Sequence, residues 1–512
     1  MAIYSRLVEQ MLTSEFYPHS VTNKIKLIQT HASYVFLTGE YVYKVKKEVD
    51  FGFLDYSTLA KREYYITQEL ELNQKITPEL YLEVIPISKQ GDRFILGSGD
   101  NVCEYTLKMR QFPQENLFSN LLQRGKLDRD RLKELGKIVA EFHDCAQTNE
   151  YIASFGSVDQ IRIAFDENYQ QTQKYLGSLQ TNEQYQATQA YSDRFFSQYQ
   201  DLFRQRVEAH KIKECHGDLH LNNICLWRNQ IQLFDRIEFN MSFRFVDTMY
   251  DVAFIVMDLE ANQRQDLANV FLNSYLEYSG DWEGLQILPL YLSRQAYVRA
   301  KVNSFLSEDS QVSQAKQQLA QKAAQAYYRQ AYDYTQTQPS SIIMMSGLSG
   351  SGKSTVAKEI AKNIGAIQLR SDAVRKHLAG ISLNETGDIY TLQMTQKTYD
   401  RILELGIMFT KGGYKVILDA KYDRIALRQA VIEQAQANDI PLKIVHCDAP
   451  IAVLRDRLNQ RKNDISDATA DLLVFQQAKT EDFTKDELEL VTTVDTSQNW
   501  QDLIPTICCS SN

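Results

Sequence analysis

Gly347-Leu348-Ser349-Gly350-Ser351-Gly352-Lys353-Ser354-Thr355 follows directly on the apolar run Ile342-Ile343-Met344-Met345. The stretch has the G-x-x-x-x-G-K-S spacing of a phosphate-binding loop set between a strand and a helix. Each residue type has a physical reason. The glycines let successive backbone N–H groups turn toward one anion, and the helix that follows adds the positive end of its dipole. At Lys353 an ammonium can reach the β- and γ-phosphates of ATP, and at Ser354 a hydroxyl can ligate Mg2+. Val356, Ala357 and Ile360 continue as the apolar face of a helix. Downstream, strands predicted at 342–346, 366–369, 415–419 and 442–447 alternate with helices. That rhythm predicts an α/β domain with a doubly wound parallel sheet.

Further residues of this half fit the same chemistry. Arg370-Ser-Asp372-Ala-Val-Arg375 follows the second strand. The Asp-x-x-Arg spacing puts Asp372 and Arg375 on one helical face. There the pair can hold one substrate, with Arg375 the candidate binder of an acceptor phosphate or carboxylate, and resemblance to P-loop kinases of small molecules and polynucleotides implies Asp372 as the general base toward the acceptor hydroxyl. The strand Val416-Ile-Leu418 ends in Asp419, placed to hold the Mg2+ shell or the acceptor. Arg455, Arg457 and Arg461 cluster on one predicted helix, with Arg457 and Arg461 on one face. They fit a lid that closes over ATP and neutralises the phosphate in transfer. Together these features resemble the P-loop kinase superfamily near polynucleotide kinase, zeta toxin and gluconate kinase, over residues 342 to about 480.

A second nucleotide signature lies upstream. His216-Gly-Asp218, followed by Asn223, has the H-x-D-x-x-x-x-N spacing of a kinase catalytic loop. A strand, Ile231-Gln-Leu-Phe234, then ends in Asp235. This chemistry needs Asp218 to take the acceptor proton, and Asn223 with Asp235 to hold the metal. His216 is expected to orient the loop. Lys44 and Lys46 share one face of the strand from Tyr41, and either could pair with the ATP phosphates. The helix partner is Glu63 or Glu69, which cannot share a face.

This half, about residues 25 to 300, resembles the aminoglycoside phosphotransferase-like kinases. The likeness rests on His216-Gly-Asp-Leu-His-Leu-Asn-Asn-Ile224, on Asp235, and on Asp247 to Asp251 leading an apolar helix. It implies a bilobal protein-kinase-like α+β fold and favours Lys44, with Glu69 as the preferred partner. His143 matches a family helix and is expected to be structural. Two departures stand out: Asp235 is followed by Arg-Ile-Glu, and the segment Ser33 to Glu40 has only Gly39 where a glycine-rich loop belongs. The whole order resembles a bacterial fusion of such a kinase with an AAA-type ATP-binding domain. Asp50-Phe-Gly-Phe-Leu-Asp-Tyr56 and Met109-Arg-Gln-Phe-Pro113 also resemble that fusion.

The bulk numbers agree with two domains. A chain of 512 residues exceeds one hydrophobic core. Polar Gln336-Thr-Gln-Pro-Ser-Ser341 is the predicted linker between 1–335 and 342–512. The first part divides into a mixed lobe over about 1–110 and a helical lobe over about 111–335. A net charge of −9 counts against nucleic acid held by bulk charge. No apolar run approaches a membrane span, and the start lacks the basic and apolar regions of a signal peptide. Seven scattered cysteines suit a reducing compartment. The reading is therefore a cytoplasmic phosphotransferase with two MgATP sites and small hydroxylated acceptors, without a membrane partner and with nucleic acid disfavoured by charge; its alternatives are an ATPase switch joined to a pseudokinase sensor, and a C-terminal half that acts on a polynucleotide 5′-hydroxyl.

Overall fold

The computed structural model describes residues 2–21, 23–52, 54–97, 99–310, 312–460 and 465–509. The chain divides into two compact units. One comprises Met1–Leu127, Cys145–Ile161 and Gln200–Ile255; the other comprises Asp128–Asp144, Arg162–Tyr199 and Val256–Asn512. The second unit thus holds the phosphate-loop sheet together with helices that precede the polar stretch 336–341.

In the first unit, β1 (Lys26–Gln29), β2 (Ser33–Leu37), β3 (Tyr41–Lys46), β4 (Tyr81–Gln90), β5 (Arg93–Leu96) and β6 (Val102–Arg110) form one sheet. It is antiparallel throughout, in the order β1-β2-β3-β6-β4-β5. Alternation along β3 sends Tyr43 and Val45 into a cluster with Phe36 and Ile87. Val42 packs on the other face with Ile66, Leu80 and Leu107. That second face is covered by the helix Leu59–Gln74, whose start is capped by Thr58 accepting the Lys61 N–H. Lys44 and Lys46 have the parity of Val42, so β3 delivers both ammonium groups beneath this helix.

The catalytic-loop region is framed by two small antiparallel pairs. β7 (Ile212–Glu214) pairs with β10 (Phe245–Asp247), and β8 (Ile224–Trp227) pairs with β9 (Gln230–Leu233). Arg228 and Asn229, between β8 and β9, both have positive φ, the signature of a tight two-residue hairpin.

In the second unit, β11 (Ser341–Ser346), β12 (Ile367–Arg370), β13 (Lys415–Asp419), β14 (Leu442–Asp448) and β15 (Val491–Asp495) form a parallel sheet in the order β12-β13-β11-β14-β15. β11 is central and buried at every residue, as expected of a strand covered on both faces. The chain reverses its direction of sheet growth around β11, and such a switch point leaves a crevice at the strand C-termini. The phosphate loop emerges there. Among the described residues no helix is long and apolar enough to cross a membrane.

Candidate active sites

The first unit gathers its titratable residues into one chain of contacts. Lys44 Nζ lies 2.7 Å from Glu69 Oε1 and 2.7 Å from Asp235 Oδ1. Lys46 Nζ lies 2.7 Å from the other oxygen, Glu69 Oε2, and also pairs with Glu238. Glu69 is thus the partner of both lysines, whereas Glu63 is exposed. Tyr56, from the Asp50–Tyr56 motif, donates its hydroxyl to Glu238 and lies 3.2 Å from Lys46 Nζ. Charges alternate along this chain, which is what permits their burial. Burial pulls the Lys44 ammonium down, but Asp235, Glu69 and Glu238 push harder the other way, leaving it well above the usual lysine range.

The loop from His216 to Asn223 is held from below. The buried Asp251 carboxylate accepts the N–H of His216 at 2.7 Å and of Gly217 at 2.9 Å. Gly217 has φ +88°, and a Cβ there would fall 2.4 Å from the Phe243 carbonyl. His216 Nε2 lies 2.9 Å from the Phe234 carbonyl, while its Nδ1 accepts the Asp218 N–H at 3.3 Å. A neutral ring protonated at Nε2 satisfies both contacts, and burial lowers the His216 pKa accordingly. His216 therefore positions the loop. Asn223 Nδ2 donates to the Asp218 carbonyl at 2.9 Å, which leaves its Oδ1 as a ligand oxygen. The Asn223 carbonyl in turn accepts the Phe234 N–H at 3.0 Å, tying the loop to Asp235. Asp235 has φ +65°, unusual for a residue with a Cβ, and its N–H donates to Tyr81 at 2.9 Å. This backbone turn lifts a carboxylate that remains 43% exposed toward Lys44. One amide oxygen and one accessible carboxylate form a hard oxygen donor set of the kind Mg2+ takes.

The second unit carries the phosphate loop between β11 and the helix Lys353–Ile364. Gly347, Gly350 and Gly352 all have positive φ. A Cβ on Gly347 would meet the Cys447 carbonyl at 2.2 Å, and one on Gly350 the Leu454 carbonyl at 2.8 Å. The tightness of the cradle thus requires glycine at these two places. Lys353 Nζ donates to the Leu348 carbonyl at 2.7 Å, so its ammonium rests across the loop. Burial lowers the Lys353 pKa, with Asp419 and Asp372 opposing. The buried Ser351 hydroxyl has no partner among the described residues. Ser354 and Thr355 occupy the first turn of the helix, half-buried and exposed respectively. A glycine cradle with its own lysine and a helix N-terminus fits a nucleotide phosphate.

Around it stand the residues expected on the acceptor side. Asp419, at the end of β13, accepts Gln368 Nε2 at 2.8 Å. Asp372 sits 3.2 Å from Arg375 Nη1, and Arg375 lies over the Tyr390 ring. Burial raises the Asp372 pKa, opposed by Arg375 and Arg370. Arg457 is placed differently from a lid arginine: it donates to Thr496 Oγ1 at 2.8 Å, to the Thr496 carbonyl at 2.7 Å and to the Gly350 carbonyl at 3.3 Å. It buttresses the back of the loop. Arg455 is exposed, and Arg461 lies outside the described residues. Gln476, which no motif signalled, caps the loop by accepting the Ser349 N–H and donating to Ser349 Oγ. Glu238 stands in the sequence only as part of the departure after Asp235, and Thr496 gives no signal there.

Residues 342–481 match the profile of a family described as AAA domain. An uncharacterised protein of Mycobacterium tuberculosis is 28% identical over 473 residues, covering 91% of this chain and 92% of the relative. A gluconokinase from Sinorhizobium meliloti aligns with 34% of this chain and 93% of its own, at 22% identity and a TM-score of 0.26. A choline/ethanolamine kinase family protein from Mesorhizobium loti aligns with 64% of this chain and 99% of its own, at 10% identity and a TM-score of 0.37. The profile match thus spans the phosphate loop and the strands β12 to β14 of the parallel sheet.

Proposed function

We propose that this chain is a phosphotransferase with two MgATP sites, each transferring the γ-phosphoryl group to a hydroxyl of a small acceptor. The observation that carries the reading is the convergence of Lys44, Glu69 and Asp235, with the bonded pair Asp218 and Asn223 on the same catalytic loop. A merely degenerate fold has no need of that full set.

In the first site Lys44 steadies the phosphates, and Asn223 with Asp235 would hold Mg2+. The metal supplies charge neutralisation of the phosphate oxygens when bound. Asp218 accepts the proton as the acceptor oxygen forms its bond to phosphorus and the bond to the ADP oxygen breaks. In the second site the loop N–H groups and Lys353 hold the phosphates, and Ser354 and Asp419 would hold the metal. Asp372 takes the acceptor proton, and Arg375 anchors an anionic group of the acceptor. Both sites work by placement and charge rather than by covalent participation of the protein.

The test is transfer from γ-labelled ATP into a bacterial metabolite extract by wild type, Asp218→Ala and Lys353→Ala. The reading expects two labelled products, each lost in one variant. Free phosphate alone, abolished only by Lys353→Ala, would replace it with an ATPase switch joined to a silent kinase-like fold.

A further inference from the structure

The P-loop sheet has β12 at one edge, and an edge strand leaves alternate N–H and C=O groups unpaired. Here a helix supplies the partners. In Gln265–Ser279, the Asn273 side-chain amide accepts the Gln368 N–H at 2.7 Å and donates to the Ala366 carbonyl at 3.0 Å. One amide thus takes the place of a peptide group of a missing strand. Asn269 Nδ2 adds a second donor to the Ala366 carbonyl at 2.9 Å. One turn on from Asn273, Glu277 presents both carboxylate oxygens to Arg370 Nη1 at 3.3 Å each, with both side chains largely buried. The Glu277 carbonyl also meets His377 Nε2 at 2.9 Å.

These contacts fall on residues that lead straight to the site. Gln368, whose N–H is held by Asn273, holds the Asp419 carboxylate with its side chain. Arg370 is the cap residue of the helix Ser371–Ala379, which carries Asp372 and Arg375, and it pairs in register with Asp419 across β12 and β13. His377 lies on that same helix. The helix Gln265–Ser279 therefore fixes both the strand end and the acceptor-side helix.

We propose that Glu277 and Asn273 are positioning residues of the P-loop site, holding Asp372 and Asp419 through Arg370 and Gln368. The inference rests on the reading of that site as a phosphoryl-transfer site. It makes a segment far upstream of the phosphate loop in sequence a working part of the loop's chemistry. The P-loop fold then depends for turnover on residues 265–279, although its nucleotide cradle is complete without them. Misplacing a reacting group by about 1 Å costs on the order of 100-fold in rate, whereas the cradle's affinity for nucleotide is untouched.

The experiment uses the full chain carrying Asp218→Ala, so that only the P-loop site turns over, and counts as P-loop binding the part of the mant-ADP signal that Lys353→Ala removes. Dissociation of mant-ADP and loss of γ-phosphate from saturating MgATP in a bacterial metabolite extract are measured for this parent and for added Glu277→Gln, Glu277→Asp, Asn273→Leu and Glu283→Gln. Glu283 pairs with Arg401 in the same unit, and among the described residues this pair bonds neither Asp372 nor Asp419, so Glu283→Gln reports the loss of a docking contact alone. Expected are mant-ADP affinities within about twofold of the parent, and turnover down about 10- to 100-fold in Glu277→Gln and Asn273→Leu. Partial recovery is expected in Glu277→Asp, and parental turnover in Glu283→Gln. Parental turnover in Glu277→Gln, or an equal fall in Glu283→Gln, overturns the proposal. Failure of the parent to bind mant-ADP or to consume MgATP overturns the nucleotide reading itself, and this inference with it.

Discussion

Replacing Lys46 by methionine isolates the feature that most distinguishes the first site, a second buried lysine on the same carboxylate. The Lys46 side chain is 1% exposed, and its ammonium serves Glu69, Glu238 and Tyr56 at once. Methionine keeps most of the apolar stem, so the loss is electrostatic. Among the described residues, the Glu238 carboxylate would retain the Tyr56 hydroxyl and the Glu69 carboxylate would retain Lys44. Deleting one partner of a buried ion pair costs about 3–5 kcal/mol. For a cooperative unit of about 200 residues this lowers the thermal midpoint by about 6–20 °C. The pH dependence adds a sharper check. Burial pushes the Glu69 carboxyl up, but Lys44 and Lys46 together outweigh it and hold it well below the ordinary range. Stability from a depressed carboxyl is present above its unfolded pKa, near about 4.3, and is lost as pH falls through the folded value. Lys46→Met forfeits part of that increment in advance. The gap between wild type and variant in calorimetry should therefore be widest above about pH 5 and narrow toward about pH 3. A midpoint within about 2 °C of wild type at pH 7, or a deficit undiminished at low pH, would refute this reasoning.

Three other outcomes follow from named contacts. Gly217→Ala forces a Cβ against the Phe243 carbonyl at a φ of +88°; label transfer assigned to Asp218 should fall at least about 100-fold, while the Lys353-dependent product persists. Gly347→Ala drives a Cβ to 2.2 Å from the Cys447 carbonyl, so mant-ADP binding to the second site should be lost, with Lys353→Ala as the reference. Burial holds the Asp372 carboxyl above its usual range, opposed by Arg375 and Arg370. A base must be ionised to work, so the acid limb of P-loop transfer should lie above that of an ordinary aspartate, and Arg370→Met should move it further up.

Much of this fold was legible because its decisive signals are local. The glycines of the phosphate loop follow from a backbone need that no other residue meets, and β11 reads as an unbroken apolar run. Strands that bury polar or charged side chains gave no such signal. β6 carries Glu104 in the interior, paired at 2.9 Å with Arg62 from the helix above, and β15 reads Val-Thr-Thr-Val-Asp. Each is a strand because of what lies beside it: β6 is flanked by β3 and β4, and β15 extends a parallel sheet from β14. Their periodicity alone could not separate them from loops.

The sites divide along the same line. Residues that belong to a motif, such as Asp218 with Asn223 or Gly347 to Ser354, stand at fixed distances along the chain, because the loops that carry them are short. Residues that hold those groups in place come from anywhere the fold brings near. Glu238, Gln368, Gln476 and Thr496 belong to no spacing pattern, yet each bonds a residue that does or its backbone. Arg457 shows the converse. Its position on a helix after β14 fits a phosphate-facing lid, but it makes three hydrogen bonds to Thr496 and Gly350. A guanidinium bonded to the rear of the loop stiffens the cradle by fixing carbonyls, and stiffness there serves every phosphate bound in front. Sequence spacing therefore picks out the motif residues, while the contacts that hold them in place become visible only after the chain has folded.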